Sequence, residues 1–406
     1  MPPPRPIRLS LALAAGAIAG EAARARRGGG QGVHARGITI NRLEPRAIAL
    51  LSRGRDCVLV TGTNGKTTTS HLIARALGAN VAHNATGANM QSGIVTALAD
   101  TASPAAVLEV DELHFPAIAA QVRPRVVVLL NATRDQLDRS HEVARVTNRW
   151  RESLAELDTI VVANAADPHV VSATPHERAV WCDPGTRWRD DARACPLCGG
   201  LLAWSEHAWG CGCGFAMPQP DFRLDGGRLI DRGDDRHYDV TLRIPGRINQ
   251  GNAVIAAAAA SVMAVPLDTA LRRMEAVSEA SGRFGLFDVG GRPARLVLAK
   301  NPAGMVAALE LVGDAPVIIG INARAVDGRD TSWLYDVPFE SLAGRTVGVT
   351  GERREDLALR LHLAGVNSIV DADPHRLAAA MPAGQLCLLG NYSNFAAWSR
   401  GDRWSA

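Results

Sequence analysis

Short, continuous apolar runs recur along this chain between stretches with helical spacing. Cys57–Val60, Ala106–Val110, Arg125–Leu130 and Ile160–Ala163 form a first series. Leu296–Ala299, Pro316–Ile321, Thr346–Val349 and Leu386–Leu389 form a second. A strand covered by helices on both faces reads as an unbroken apolar run, whereas a half-exposed strand alternates. Two series of such runs separated by helical patterns predict two doubly wound α/β domains.

Three stretches break this rhythm. Residues 1–55 read as a helix through Leu9–Gly20, an Arg/Gly-rich loop at Arg24–Gly32, and a short helix around Glu44–Ser52. Residues 182–215 hold four cysteines and three tryptophans (Trp188, Trp204, Trp209) with little periodicity. Tyr238, Val240, Leu242 and Ile244 alternate with polar residues and predict a half-buried strand. Ala253–Met263 is a solid helical run, and Ser281–Gly285 has the look of a hinge. The expected boundaries are an N-terminal helical segment at 1–55, a central domain at 56–280 with an insertion at about 182–216, and a C-terminal domain at 281–406.

Composition narrows the class without naming a chemistry. The 406 residues are 47% apolar and 21% charged, ordinary for a core-forming chain. A net charge of +3 gives no footprint for bulk nucleic-acid binding, and 4% aromatic residues argue against single-strand stacking platforms. No stretch reaches the roughly 18 consecutive apolar residues of a membrane span.

Lysine usage changes the picture. Lys66 and Lys300 are the two lysines among 44 basic side chains. A chain that writes nearly every surface cation as Arg leaves Lys where a compact ammonium is wanted. Lys66 lies in Thr61-Gly62-Thr63-Asn64-Gly65-Lys66-Thr67-Thr68-Thr69, directly after the first apolar run. Glycines let backbone N–H groups converge on phosphate oxygens, and the following helix offers its positive end. Lys66 would then reach the outer phosphates, and the Thr67 hydroxyl would help hold Mg²⁺. The first glycine of the general phosphate-loop pattern is missing, because position 60 is Val60. The bland alternative is a glycine-bearing strand-to-helix turn with no ligand.

Cys195-Pro-Leu-Cys198 and Cys211-Gly-Cys213, twelve residues apart, bring four thiolates together on two tight turns. That set suits a closed, structural Zn²⁺ with no open position for catalysis. An unrelated group of buried or redox cysteines is the alternative. Cys57, Cys182 and Cys387 read as apolar fillers. Further on, Asp327, Asp330, Asp336 and an exposed-looking Trp333 crowd a polar loop after the Pro316–Ile321 run, which suggests a site or an interface. A solvated loop whose Asp residues cap the next helix would look the same.

The Gly62–Thr67 stretch resembles the phosphate loop of the Mur ligase family, ATP-dependent enzymes that join an amine to a carboxylate through an acyl phosphate. The resemblance continues along the chain. It implies Glu109, in Glu109-Val110-Asp111-Glu112, as an Mg²⁺ ligand with Thr67. Asn131-Ala132-Thr133-Arg134-Asp135-Gln136-Leu137-Asp138-Arg139 is similar to the family's Asn-rich loop, and Asn164–Asp167 to its next strand end. Asn249 to Asn252 stand at its adenine-proximal helix, and Gly282-Arg283 at its interdomain Arg, which touches the γ-phosphate. Lys300-Asn301-Pro302 occupies the place of His-Asn-Pro. The implied ATP contacts are therefore Gly62, Thr63, Asn64, Gly65, Lys66, Thr67, Thr68, Asn252, Arg283 and Lys300. The implied fold is a central P-loop domain with a Cys₄ zinc-ribbon insertion, followed by a Rossmann-like α/β domain. Gln136 departs from the usual metal-binding His, and the lysine that many members carbamylate is absent, since none lies between Lys66 and Lys300.

The four-cysteine insertion, Leu298-Ala299-Lys300-Asn301-Pro302-Ala303-Gly304 and Asp327-Gly328-Arg329-Asp330-Thr331-Ser332-Trp333 together resemble one branch of the family, the ligase subunits of lipid II isoglutaminyl synthase. That branch implies amidation of the D-glutamate α-carboxylate of lipid II in peptidoglycan synthesis, with Lys66 and Glu109 at the phosphoryl transfer. It implies a GatD-type glutamine amidotransferase partner carrying Cys and His, with Asp330 as the third member of its triad. A different Mur-type ligase, acting on folate polyglutamate or stem peptides, and a non-catalytic nucleotide-binding scaffold are the rivals. Arg5, Arg8 and the Leu9–Gly20 run imitate a secretory signal, but ATP and a thiolate cluster suit the reducing cytoplasm. A lipid-linked substrate would be met at the inner face of the plasma membrane.

Overall fold

The computed structural model describes residues 6–27, 29–135, 143–186, 188–279 and 284–400. They fall into two compact units. The first comprises Met1–Ala132, Ala144–Arg243 and Arg247–Val277, and the second Thr133–Val143, Ile244–Gly246 and Ser278–Ala406.

The first unit is built on β1 (Asp56–Thr61), β2 (Val81–His83), β3 (Ala105–Glu109), β4 (Val126–Leu129), β5 (Ile160–Asn164) and β6 (Ala179–Asp183), all parallel. A small hairpin, β7 (Leu202–Trp204) with β8 (Trp209–Cys211), stands apart from them. An antiparallel meander, β9 (Phe222–Asp225), β10 (Arg228–Asp231) and β11 (Arg236–Asp239), extends the main sheet to the order β11-β10-β9-β6-β5-β4-β1-β3-β2. Val58, Leu59, Val60, Val127 and Val128 are fully buried because helices cover both faces. Strand β1 lies between β3 and β4, so the chain reverses its direction of winding there. In an open α/β sheet that switch point, at the carboxyl ends of the strands, is where ligands bind.

The stretch around Arg24–Gly32 differs from expectation. Instead of a loop at Arg24–Gly32, one helix runs Ile7–Arg27 and a second Gly29–Leu43, followed by Ala47–Ser52. Gly20 and Gly32 serve close packing: a Cβ at Gly20 would lie 3.1 Å from the Gly32 carbonyl oxygen. Tertiary contact of this kind overrides the poor helix propensity of glycine. The Gly29–Leu43 helix is tied to the helix Gln91–Asp100 by the Arg36–Asp100 ion pair and by Thr96 Oγ1 donating to Val33 O at 3.2 Å.

The predicted strand through Tyr238–Ile244 is also shorter than its pattern. Its ladder ends at Asp239, although Val240 is buried and its N–H still reaches Gly227 O at 2.9 Å. The long helix Arg247–Val262 then packs an almost unbroken alanine face into the core.

The second unit holds β12 (Leu286–Val289), β13 (Arg292–Leu298), β14 (Val317–Gly320), β15 (Thr346–Thr350), β16 (Asn367–Val370) and β17 (Leu386–Gly390), in the order β12-β13-β17-β14-β15-β16. Only the β12–β13 pair is antiparallel. The predicted hinge at Ser281–Gly285 lies largely outside the described residues.

Candidate functional site

Strand β1 delivers the chain into Gly62–Gly65 and then the helix Lys66–Leu77, whose first four residues are all buried. Gly65 has φ +84°, and a Cβ there would lie 2.9 Å from Asn252 Oδ1, so glycine suits both the backbone and the space. Asn131, just beyond β4, braces the loop. Its carbonyl accepts from Thr63 N at 2.9 Å, its Oδ1 accepts from Asn64 N at 2.8 Å, and its Nδ2 donates to Asn64 O at 3.0 Å. Gly65 stands at the N-cap and has no side chain of its own to satisfy the first-turn N–H groups, which suits a helix start that receives an anion.

The Lys66 ammonium donates to Gly62 O at 2.5 Å, Thr63 O at 3.2 Å and Glu112 Oε2 at 2.8 Å. Burial works against its charge, but the Glu112, Glu109 and Asp111 carboxylates outweigh burial and raise its pKa above the ordinary lysine value. Glu112 is in turn positioned by Trp150, whose indole N–H donates to the Glu112 carbonyl at 3.0 Å. Beside this pair, the Thr67 hydroxyl donates to Glu109 Oε2 at 2.8 Å, and Asn89 Nδ2 reaches Glu109 Oε1 at 3.3 Å. Asn84 fixes the Glu109 backbone, accepting from its N–H and donating to its carbonyl, both at 2.8 Å. A hydroxyl and a carboxylate at one buried point form an oxygen-only donor set of the kind that suits a hard divalent cation.

Under the first turn lie two imidazoles packed edge to face at 4.6 Å. His71 Nδ1 donates to Thr67 O at 2.9 Å, and His83 Nε2 meets Ser70 Oγ at 3.2 Å. Burial, and then the neighbouring His71, push the His83 pKa down to about 3.

The four cysteines come together on the β7–β8 hairpin and the turn before it. Their sulfur atoms all lie within 4.8 Å of one another, with Cys195–Cys213 at 3.9 Å and Cys198–Cys211 at 3.5 Å. A tetrahedral ion with bonds of about 2.3 Å to sulfur requires sulfur–sulfur edges of about 3.8 Å. Gly199 and Gly214 follow the two cysteine pairs with positive φ, turning the chain back around the sulfurs. The cluster therefore fits a four-coordinate metal site. Cys57, Cys182 and Cys387 are buried free thiols elsewhere, and burial pushes Cys57 up to about 11.

In the second unit Lys300 follows β13, and its ammonium pairs with Asp135. Asn301 caps the helix Pro302–Val312 by accepting from Gly304 N at 2.8 Å. Lys300, Asp135 and Asp330 line one small cavity of about 50 Å³. Arg134 and Asp336 form an ion pair at 3.1 Å and line the same cavity. Three carboxylates that look alike in sequence behave differently. Asp327 is buried and accepts from Ser393 N and Ser393 Oγ at 2.7 and 2.6 Å. Asp330 is exposed, and the Ser332 N–H at 2.8 Å holds its carboxyl below the usual range. Trp333, expected to be exposed, is instead half-buried against the apolar core of the unit.

Gly62 to Thr68, Glu109 and Asn252 are thus gathered in one unit, while Lys300 and Asp330 share a cavity in the other. Arg283 and Gln136 lie outside the described residues. Glu112, Asn84, Asn89 and Asp135 emerge as partners from the structure. Glu112 and Asp135 lie inside segments already singled out by resemblance, and Asn84 and Asn89 flank Gly87 in a short polar stretch.

Residues 60–182 match the Mur ligase middle domain, and residues 298–394 match the MurT ligase C-terminal domain. The chain is similar to the lipid II isoglutaminyl synthase (glutamine-hydrolyzing) subunit MurT of Staphylococcus aureus, with 34% identity over 80% of this chain and 81% of that one. The chain belongs to the MurT family. The MurT subunit of Streptococcus pneumoniae is 28% identical over 78% of each chain. Among solved structures, a pseudomurein peptide ligase type C from Methanothermus fervidus superposes with a TM-score of 0.68 at 18% identity, covering 85% of this chain and 78% of that one. The MurF ligase of Thermotoga maritima in complex with ADP gives 0.62 at 17%, covering 89% and 81%. MurT family membership and the Mur ligase fold place the Lys66 loop and the acidic end of β3 in an architecture used by ligases.

Proposed function

We propose that this chain is the ATP-dependent ligase subunit of a lipid II isoglutaminyl synthase, converting the α-carboxylate of D-glutamate in lipid II to a carboxamide. The observation that carries this reading is the Lys66–Thr67–Glu109 constellation in a chain of the MurT family. A carboxylate oxygen of the substrate attacks the γ-phosphorus of ATP, the bond to the bridging oxygen breaks, and ADP leaves. Ammonia then attacks the acyl carbon, the C–O bond to phosphate breaks with its electron pair, and the nitrogen gives up a proton.

Lys66 exchanges its Glu112 contact for phosphate oxygens and follows the transferring group, the kind of preorganised charge on which phosphoryl transfer depends. The loop N–H groups and the helix start hold the inner phosphates. Asn252 bears on the nucleotide beside Gly65. A magnesium ion held by the Thr67 hydroxyl and the Glu109 carboxylate would neutralise phosphate charge. Residues 56–280 form the ATP-binding domain in this reading, and 281–406 supply Arg283 and Lys300 as contacts to ATP or the acyl phosphate.

Zinc is the metal we assign to Cys195, Cys198, Cys211 and Cys213, because four thiolates at tetrahedral spacing leave no place for substrate. Asp330 is assigned to a glutamine amidotransferase partner of the GatD type. Exposed and ionised, it can orient the partner's His and stabilise its charged form. We place the protein in the cytoplasm, where ATP is supplied and a thiolate cluster stays reduced.

The reading is tested with purified chain, amidotransferase partner, lipid II, ATP and glutamine. Mass spectrometry should find one carboxyl of lipid II converted to a carboxamide. No conversion with a folded, ATP-binding chain and an active glutaminase would reject it. Asp330→Asn should depress glutamine-driven amidation by on the order of 10³-fold or more while ammonia-driven amidation persists. Equal loss of both would reject the role of Asp330.

A further inference from the structure

The helix Ile7–Arg27 has two unlike faces. Leu9 and Ala12 are buried, and with Gly16 and Gly20 they turn toward the helix Gly29–Leu43. On the opposite side Ile7, Leu11 and Ile18 are 81%, 66% and 71% exposed. Ala14, Ala22 and Ala25 are exposed as well, and at 3.6 residues per turn all six fall within one arc. Single apolar residues are common on surfaces, but large aliphatic side chains aligned along one helix face mark an interaction surface.

Charge surrounds this stripe. Exposed Arg8 and Arg26 lie along one edge of the arc, and Arg8 also donates to Leu43 O at 2.7 Å; Glu21, the one acid of the helix, borders the other edge, with exposed Arg24 beyond it. Residues 1–55 carry ten arginines against Glu21 and Glu44, a net +8 in a chain whose total is +3. Among the described residues no helix is long and apolar enough to cross a membrane. A second copy docking on the stripe would bring two strongly positive surfaces together, which their repulsion opposes.

We propose that the Ile7–Arg27 helix lies in the surface of an anionic lipid bilayer, with Ile7, Leu11 and Ile18 in the acyl boundary and its arginines among headgroup phosphates. The surface deepens the lipid II reading, because a lipid-linked carboxylate is met at a bilayer. Its test needs no turnover, so failure of one is distinguishable from failure of the other.

The experiment is flotation of the full-length chain with phosphatidylcholine vesicles, with and without phosphatidylglycerol. Wild type should bind vesicles containing phosphatidylglycerol at least about tenfold more tightly than neutral ones, and added salt should weaken that binding. The combined variant Ile7→Ser, Leu11→Ser, Ile18→Ser should lose at least about tenfold in vesicle affinity. Its thermal midpoint and ATP binding should be kept, since all three side chains are exposed. Equal binding to both vesicle types, equal binding by the triple variant, or a wild-type dimer that the triple variant dissociates with no vesicle binding would each overturn the proposal.

Discussion

Asn131 grips the Asn64 peptide from both sides, accepting from its N–H at 2.8 Å and donating to its carbonyl at 3.0 Å. A side chain 67 positions away therefore sets the shape of the phosphate loop. Each such hydrogen bond contributes about 1 kcal/mol. Asn131→Ala should weaken ATP binding by about tenfold to a hundredfold without unfolding the chain, and Asn131→Asp should fall between. Titration calorimetry checks this, and unchanged affinity in the alanine variant would contradict it.

The Glu112 carboxylate touches the Lys66 ammonium directly, at 2.8 Å. Removing one partner of a buried pair leaves the other uncompensated, at a cost of about 3–5 kcal/mol when nothing replaces it. Glu112→Gln should lower the thermal midpoint of the chain alone, and ATP should restore more stability than it adds to wild type. Scanning fluorimetry with and without ATP-Mg²⁺ decides the matter; an equal shift in both proteins would sink the exchange of Glu112 for phosphate.

The four-sulfur cluster should carry one zinc per chain by elemental analysis. Cys198→Ser or exhaustive chelation should release the metal and loosen the β7–β8 hairpin, whose tryptophan fluorescence reports the change through Trp204 and Trp209. Metal-free protein with unaltered fluorescence and stability would contradict the assignment.

His83 makes stability depend on pH. Its folded pKa of about 3 lies below the ordinary 6.5, so the unfolded chain binds more protons between those values. The contribution is fully present above pH 6.5 and is lost as pH falls, by about 2 kcal/mol at pH 5. His83→Phe should flatten this part of the pH–stability curve in denaturant melts. An unchanged slope would contradict a neutral, buried His83.

The sheet interiors were readable in the sequence, the edges less so. Cys57–Val60, Pro316–Ile321 and Leu386–Leu389 are apolar throughout because they lie in strands covered on both faces. Val81–His83 and Asn367–Val370 are edge strands, short and partly polar, and carry no such pattern. At Arg24–Gly32 glycine points to a turn, but Gly32 serves helix packing. The phosphate loop was legible because its residues are consecutive. The Asn131 clamp, the Asn84 brace on Glu109 and the Lys300–Asp135 pair were not, since each joins residues far apart in the sequence that only the fold brings together.

An acyl phosphate formed on the lipid-linked carboxylate would leave its mark in the phosphate released. Lipid II labelled with heavy oxygen in the D-glutamate α-carboxylate tests it most directly, using the complete complex with ATP and glutamine. Amidation should transfer one labelled oxygen to the phosphate released, and Lys66→Met should abolish both phosphate release and label transfer. Amide formation accompanied by unlabelled phosphate would contradict the account.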